Sequence, residues 1–389
     1  MLYLDNAATT SLHPKALEAM MPFLTDNFAN PSSVYSPARK VRAAIDEARQ
    51  IVAEAINAEI SEIFFTSGGT EADNWAIKGT VGTKGGHIIT SKIEHHGVLS
   101  VFEYFETLGF DVTYLPVDEE GYILPAFLEE SIRPDTCFIS IILANNEVGT
   151  IQPIKELAAI ATKHGIPFHT DAVQAVGHIP LDVKDLGVQM LSISAHKFHG
   201  PKGVGVLYVK KGTKLTPMFQ GGAQERKRRA GTENATGIIG MGTAIQIAME
   251  ELPSEFKRIS NIRDRLIKEI LEGIPHTKLN GAAGDRRLPG NVNISFNFIE
   301  GEALLMHLDM GGCCASTGSA CSSGALDPSH VLMAMGLSHE LANGAIRFSL
   351  GRDNTEDDIE KLMAILKPAV KKLRDLSPLY DDFLKSVKE

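Results

Sequence analysis

No apolar run in this chain of 389 residues approaches the roughly 18 residues that a membrane-spanning helix requires, so no span is expected. A secretory signal is not expected either: the basic start it needs is missing, and Met1-Leu-Tyr-Leu-Asp5 reaches an acidic residue at once. Positive charge is in short supply overall. With 38 Lys and Arg against 48 Asp and Glu, the formal net charge is −10, which argues against a general nucleic-acid surface. Cysteine is limited to four residues, the usage of a reducing compartment, and together these absences read as a cytoplasmic protein.

What is present is the composition of an ordinary globular protein, 43% hydrophobic and 22% charged, in a chain long enough for two subdomains. The stretch Met190-Leu-Ser-Ile-Ser-Ala-His-Lys197-Phe-His-Gly-Pro201 runs a β-rich apolar segment into a polar turn, and a second apolar segment, residues 204–209, follows it. A lysine is normally a solvated cation on a flexible stem, so Lys197, placed in such a turn among Ser194, His196 and His199, suggests a covalent role through a Schiff base. An aldehyde cofactor such as pyridoxal 5′-phosphate would then need a phosphate cradle, a carboxylate for its pyridinium nitrogen and a cover for its ring.

Each of these has a candidate. The strand Ile63-Phe-Phe-Thr66 leads through Ser67-Gly-Gly-Thr70 into a helix, where free N–H groups and the helix dipole converge on an anion. The spacing is that of neither a P-loop nor a dinucleotide fingerprint, and a plain strand-to-helix turn fits it too. Residues 87–91 form a strand ending in Lys92-Ile-Glu-His95-His96, which offers an imidazole as ring cover. Adjacent histidines lack the i,i+4 spacing of helical zinc ligands, so a metal ranks below stacking and none is expected. Residues 138–143 stop at Asn145-Asn146-Glu147, and Phe168-His-Thr-Asp171 at Asp171-Ala-Val-Gln174. A buried Asp171 calls for a cationic partner such as a pyridinium, although a helix cap is the plain alternative.

Strands at 63–66, 87–91, 111–115, 138–143, 167–170, 190–194 and 204–209 alternate with helical segments, the pattern of a mixed, mostly parallel α/β sheet. The expected large α/β/α domain spans residues 16–250, and a smaller α+β domain takes residues 251–389 with residues 1–15 returning to it. The basic run from Gln224 to Arg229 reads as a solvated face, beside which Thr232 could hold an anion. Cys313, Cys314 and Cys321 crowd into nine residues. The first two follow the apolar 304–310 stretch and could simply be buried. Cys321 lies in a run of small residues without periodicity, expected to be a loop, and is the candidate nucleophile or sulfur acceptor. Arg347 sits in the apolar strand 345–350, where its guanidinium must find an anion such as a substrate carboxylate or an internal ion-pair partner.

With Leu4-Asp-Asn-Ala-Ala-Thr-Thr10, Thr66-Ser-Gly-Gly-Thr-Glu71, Asp171-Ala-Val-Gln174, Ser194-Ala-His-Lys197, Arg229-Ala-Gly-Thr232, Gly318-Ser-Ala-Cys321 and Arg347-Phe-Ser349, nearly the whole chain resembles a cysteine desulfurase of the NifS/IscS type. That family lies in the class V branch of fold-type I pyridoxal-phosphate enzymes. The form of its cysteine stretch is similar to the nitrogen-fixation subgroup, although Tyr35 stands where many relatives have His. The resemblance implies that Lys197 binds the cofactor and carries protons, Asp171 keeps its ring nitrogen protonated, Gln174 bonds the ring oxygen and His95 stacks on the ring. It further implies that Gly69, Thr70, Ser194 and His196 hold the phosphate, with Thr232 reaching across from the second protomer of a homodimer. Asn146, also counted among the cofactor contacts, and Arg347 would orient L-cysteine. Cys321 would take its sulfur as a persulfide, leaving alanine, for delivery to an acceptor such as an iron–sulfur scaffold. A selenocysteine lyase or a class V aminotransferase is the alternative; the latter would not need the Cys321 thiol. Neither nucleic acid nor membrane is expected as a direct partner.

Overall fold

Runs such as Met190-Leu-Ser-Ile-Ser194 and Gly205-Val-Leu-Tyr-Val209 are buried at every position, as strands covered on both faces must be. The computed structural model describes residues 1–82, 85–317 and 328–387. In chain order its strands are β1 (Leu2–Tyr3), β2 (Ile63–Thr66), β3 (His87–Ser91), β4 (Asp111–Leu115), β5 (Thr136–Ser140), β6 (Phe168–Asp171), β7 (Met190–Ser194), β8 (Gly205–Val209), β9 (Thr277–Leu279), β10 (Asn291–Phe296), β11 (Cys313–Cys314) and β12 (Ala345–Ser349). Seven of them form one sheet in the order β2-β8-β7-β6-β5-β3-β4. Its β4-β3-β5-β6-β7 part is parallel, and β8 runs antiparallel to both β7 and β2. This is the expected mixed, mostly parallel α/β sheet.

Alternate residues of each strand enter different cores, as a period of two requires. Leu191, Ile193 and Val206 join the helices Ser36–Ala55 and Ile154–Lys163 on one face. Met190, Leu207 and Val209 meet Trp75, Phe102 and Phe105 of the helices Gly69–Val81 and His96–Thr107 on the other. The strand expected at 138–143 begins two residues earlier. Past Ser140 its backbone still follows β6, with Ile141 N–H donating to His169 O at 3.1 Å and Leu143 N–H to Asp171 O at 2.8 Å.

A three-stranded antiparallel sheet, β12-β10-β9, and the parallel pair β1-β11 lie beyond the large sheet. The domain boundary expected after residue 250 falls inside a helix, Ala235–Gly273. Its Ile238, Met241 and Ile245 belong to the large sheet's core, and its Ile259, Ile262, Leu266 and Ile270 to the small sheet's. The two cores therefore share one helix, and Pro253, which cannot donate a backbone hydrogen bond, sits between its two buried stretches. Near the start of the sequence Leu2 and Tyr3 pair with Cys313 and Cys314, and Asp5 bridges to Ser349. Among the described residues no helix is long and apolar enough to cross a membrane.

Candidate active site

The parallel strands end along one edge of the large sheet, and the turns that follow them line a cavity of about 380 Å³, within the size range of small-molecule sites. Lys197 enters it from the 3₁₀ turn Ala195–Lys197 after β7. Its Nζ donates to the carbonyls of Ala7 at 2.6 Å and Ala8 at 2.8 Å. Behind it, His178 Nε2 donates to the Lys197 carbonyl at 2.9 Å, so the lysine is held from its backbone and from its tip.

Gly69 and Thr70 open the helix that follows β2, with their N–H groups at its positive end. The turn is tight. A Cβ on Gly69 would stand 2.7 Å from Val173 Cγ2. On neighbouring β8, a Cβ on Gly205 would stand 2.5 Å from Ile193 O and 2.8 Å from Gly68. Ser194 and His196 line the same cavity, and burial pulls the His196 imidazole down to about 4, which leaves it neutral at pH 7.

Asp171, at the end of β6, is 4% exposed and accepts from Val173 N–H at 2.8 Å. Asp73, one turn after Thr70 on the same helix, is 1% exposed, and its Oδ1 has no hydrogen-bond partner. Burial, reinforced by the two carboxylates facing each other, raises the pKa of Asp73, and burial does the same to Asp171. His169, between Ser140 Oγ at 2.8 Å and Ser192 Oγ at 2.9 Å, is pulled down to about 3 by burial. It therefore brings no charge to offset the acids. His95 Nδ1 accepts from Gly97 N–H at 3.0 Å, capping the helix His96–Thr107, and burial lowers its pKa. One donor atom each from Asp73, His95 and Asp171 lie within 4.8 Å of one another.

Gln174 donates to Ala7 O at 2.9 Å. On the opposite wall Arg347, from β12, donates to Asn146 O and to Asp5 Oδ1, both at 2.9 Å, and its buried Nε has no partner. Ten residues singled out from the sequence thus meet in one cavity: Gly69, Thr70, His95, Asn146, Asp171, Gln174, Ser194, His196, Lys197 and Arg347.

Two others do not. Thr232 is exposed and lines a separate hollow of about 200 Å³ with Ser67, Arg229 and Asn234. Cys321 lies outside the described residues. Cys313 is 1% exposed, with its thiol pushed up to about 12 by burial, as a structural cysteine should be. Sequence reasoning missed Asp73, the Ala7 and Ala8 carbonyls and Gly205. Only Asp73 carried a readable signal, since i,i+3 spacing from Thr70 puts both on one helix face.

The sequence profile of the class-V aminotransferases matches residues 2–362. The chain is similar to the cysteine desulfurase IscS of Clostridium botulinum (strain Hall), 53% identical over 392 aligned residues that cover 100% of this chain and 99% of the relative. It is also similar to that of Dictyoglomus turgidum, 54% identical over 380 residues, covering 97% and 96%. A solved structure of a NifS-like protein superposes with a TM-score of 0.89 at 38% identity, covering 96% of this chain and 99% of that one. On its fold, its cavity and these likenesses, the chain belongs to the cysteine desulfurases of the class-V aminotransferase family.

Proposed function

We propose that the chain removes sulfur from L-cysteine with the help of pyridoxal 5′-phosphate, working as a cytoplasmic homodimer and passing the sulfur from Cys321 to an acceptor protein such as an iron–sulfur scaffold. The observation that carries this reading is a lysine that shares one cavity with two buried carboxylates, Asp73 and Asp171, and with a helix N-terminus. The residues fit the cofactor: Asp171 is a buried acid in the same cavity as Lys197, the neighbouring Asp73 Oδ1 is buried without a hydrogen-bond partner, and a Cβ on Gly69 would crowd Val173. When bound, pyridoxal phosphate supplies an electron sink for carbon chemistry on the amino acid.

The chain's own groups do the rest. Lys197 Nζ would hold the cofactor at its aldehyde and would move protons to and from the substrate's carbons. Asp171 would keep the ring nitrogen protonated, Gln174 would bond the ring oxygen, and His95 would cover the ring. Gly69, Thr70, Ser194 and His196 would hold the phosphate, and Arg347 with Asn146 would orient the substrate carboxylate. In the sulfur step the Cys321 thiolate attacks the substrate sulfur. An S–S bond forms as the Cβ–S bond breaks, Cβ takes a proton, and L-cysteine plus thiol becomes L-alanine plus persulfide with no outside oxidant.

On the resemblance, Thr232 would reach the neighbouring protomer's phosphate, and its position outside its own chain's cavity is compatible with that. The exposed Phe28, Val34 and Tyr35 supply an apolar face for a second copy. The separate large and small domains, 16–250 and 251–389 with 1–15, are proposed with their boundary inside the shared helix. Three described cysteines without a disulfide agree with a reducing compartment. The test is Cys321→Ala. The variant should bind the cofactor and change its spectrum with L-cysteine, yet form neither alanine nor persulfide, while mass spectrometry of the wild type finds the extra sulfur on Cys321. Full alanine production by the variant would overturn the assignment.

A further inference from the structure

Thr10 ends the Leu4–Thr10 motif, and no role has been given to it above. It is 3% exposed, and its hydroxyl works in both directions: Oγ1 donates to His196 O at 2.9 Å and accepts from His199 N–H at 2.8 Å. Its own N–H donates to the same His196 carbonyl at 3.0 Å. A hydroxyl has one proton to give and lone pairs to accept with, and here both capacities are spent on one turn. A single buried threonine therefore joins the residue before Lys197 to the second residue after it.

That turn needs holding. His199 has a φ of 64°, in the left-handed region that a residue with a Cβ enters at a cost and keeps only where its surroundings fix it. Its polar groups are held by residues 10–13: its N–H by Thr10 Oγ1, its ring Nδ1–H by Ser11 O at 3.0 Å, and its carbonyl by His13 N–H at 2.9 Å. On the other side of Lys197, His196 Nδ1 is hydrogen-bonded to Thr9 Oγ1 at 3.2 Å. Between the two flanks Lys197 Nζ reaches the carbonyls of Ala7 and Ala8. This segment is anchored in its turn, since Ala7 N–H donates to Ser349 Oγ at 2.9 Å and Tyr3 Oη to Thr9 O at 2.8 Å. Residues 7–13 and 196–199 thus lie against each other in one register, and Thr10 is the side chain that bridges both flanks of the lysine.

We infer that Thr10 is a positioning residue for Lys197: by tying both flanks of the turn, its hydroxyl sets the register in which the amine meets the Ala7 and Ala8 carbonyls, and so the place from which that amine works. The inference rests on the reading, given above, that pyridoxal phosphate is held at Lys197. Without the hydroxyl the His199 N–H loses its partner and the left-handed turn relaxes. Nζ then no longer stands where an aldehyde in the cavity meets it. A misplacement of about 1 Å can cost a reaction on the order of 10²-fold. Asn146 and Arg347, on the opposite wall, keep their places.

The test uses the full chain freed of cofactor. Added pyridoxal phosphate joins a lysine with loss of water, borohydride reduces the new C=N bond to a stable amine, and mass spectrometry locates it. Thr10→Val, which keeps the shape and removes the hydroxyl, and Thr10→Ala should each slow attachment at Lys197 about tenfold. Once loaded, both should show kcat lowered about tenfold, with KM for L-cysteine within about twofold. Thr10→Ser, which restores the hydroxyl, should recover most of both rates. Losing a buried hydrogen bond also costs stability, so Ile270→Val in the small sheet's core is the comparison: it should lower the melting temperature by a similar amount and leave the attachment rate unchanged. Attachment at the wild-type rate in both the Val and the Ala variants would overturn the inference. So would a Ser variant as slow as the Val variant, or an Ile270→Val chain slowed to the same extent, since the effect would then come from stability and not from the hydroxyl. The wild type tests the underlying reading separately: if its label lies on a lysine other than Lys197, that reading fails whatever the variants do.

Discussion

Around the small antiparallel sheet, fully buried Arg287 donates to Ala282 O at 2.5 Å, to Asn291 Oδ1 at 3.0 Å and to Asn280 O. Nearby, Arg374 donates to the carbonyls of Pro275, His276 and Asn297 at 2.7, 3.0 and 3.1 Å. At the edge of the large sheet Asp73, Glu94 and Asp171 are just as buried, yet Asp73 Oδ1 and Glu94 Oε2 have no partner. A buried polar group left unpaired costs about 1–3 kcal/mol, more if charged. The guanidiniums are complete as they stand and act as struts. The acids are not completed in this way: Asp73 and Glu94 each keep an oxygen without a partner, and burial raises the pKa of all three.

The strongest way to break this comparison is to remove the group on which the cavity converges. Lys197→Ala should cut alanine formation from L-cysteine by on the order of 10⁴-fold or more, with the melting temperature within about 2 °C; a variant that turns over normally refutes the assignment. Asp171→Asn should lower kcat on the order of 10²-fold while the cofactor-free protein gains about 1 kcal/mol in denaturant unfolding, because a buried acid has gone. If the cofactor-free variant is clearly less stable, Asp171 belongs with the struts. Arg287→Ala should do the reverse, losing roughly 3 kcal/mol of stability through a cavity and stranded carbonyls, with KM for L-cysteine within about twofold by steady-state assay.

The smallest effect is a pH profile. Burial raises Glu94 from 4.5 to about 8 and lowers His169 from 6.5 to about 3. Between pH 4.5 and 8 the unfolded chain has given up a proton that folded Glu94 keeps, so stability falls as pH rises. Between pH 3 and 6.5 the unfolded chain holds a proton that folded His169 refuses, so stability rises with pH. The two oppose each other from 4.5 to 6.5, and above 6.5 the acids act alone. The cofactor-free protein should therefore unfold at a lower temperature at pH 8 than at pH 6, and Glu94→Gln should remove part of that difference. A wild-type profile flat from pH 6 to 8 would contradict it.

Much of this was legible beforehand because polar residues placed directly after apolar strands have few places to go: Lys197, His95, Asp171 and Asn146 all do so and all reach the cavity. The carbonyl seats of Lys197 were not legible. Backbone oxygens carry no side-chain signature, and Ala7 lies 190 residues from the lysine. That one helix serves both cores across residue 250 was not legible, because such a helix alters its apolar partners without interrupting its period. The anion role of Thr232 rested on its place beside a basic run and on motif resemblance, and in the single chain it lines a hollow that Lys197 does not line.

The strap formed by the first ten residues also sets an order of events. Leu2 and Tyr3 pair with Cys313 and Cys314, and Asn6 Nδ2 donates to Ser349 O, 343 positions away. Contacts that distant close late, since the intervening chain must be ordered first. During synthesis residues 2–8 are thus made long before the strands that seat them, and only once those have formed do Ala7 and Ala8 present their oxygens to Lys197. A truncated chain ending before β12 would carry Lys197 without its seat, so stalled translation would release a protein whose lysine is unpoised.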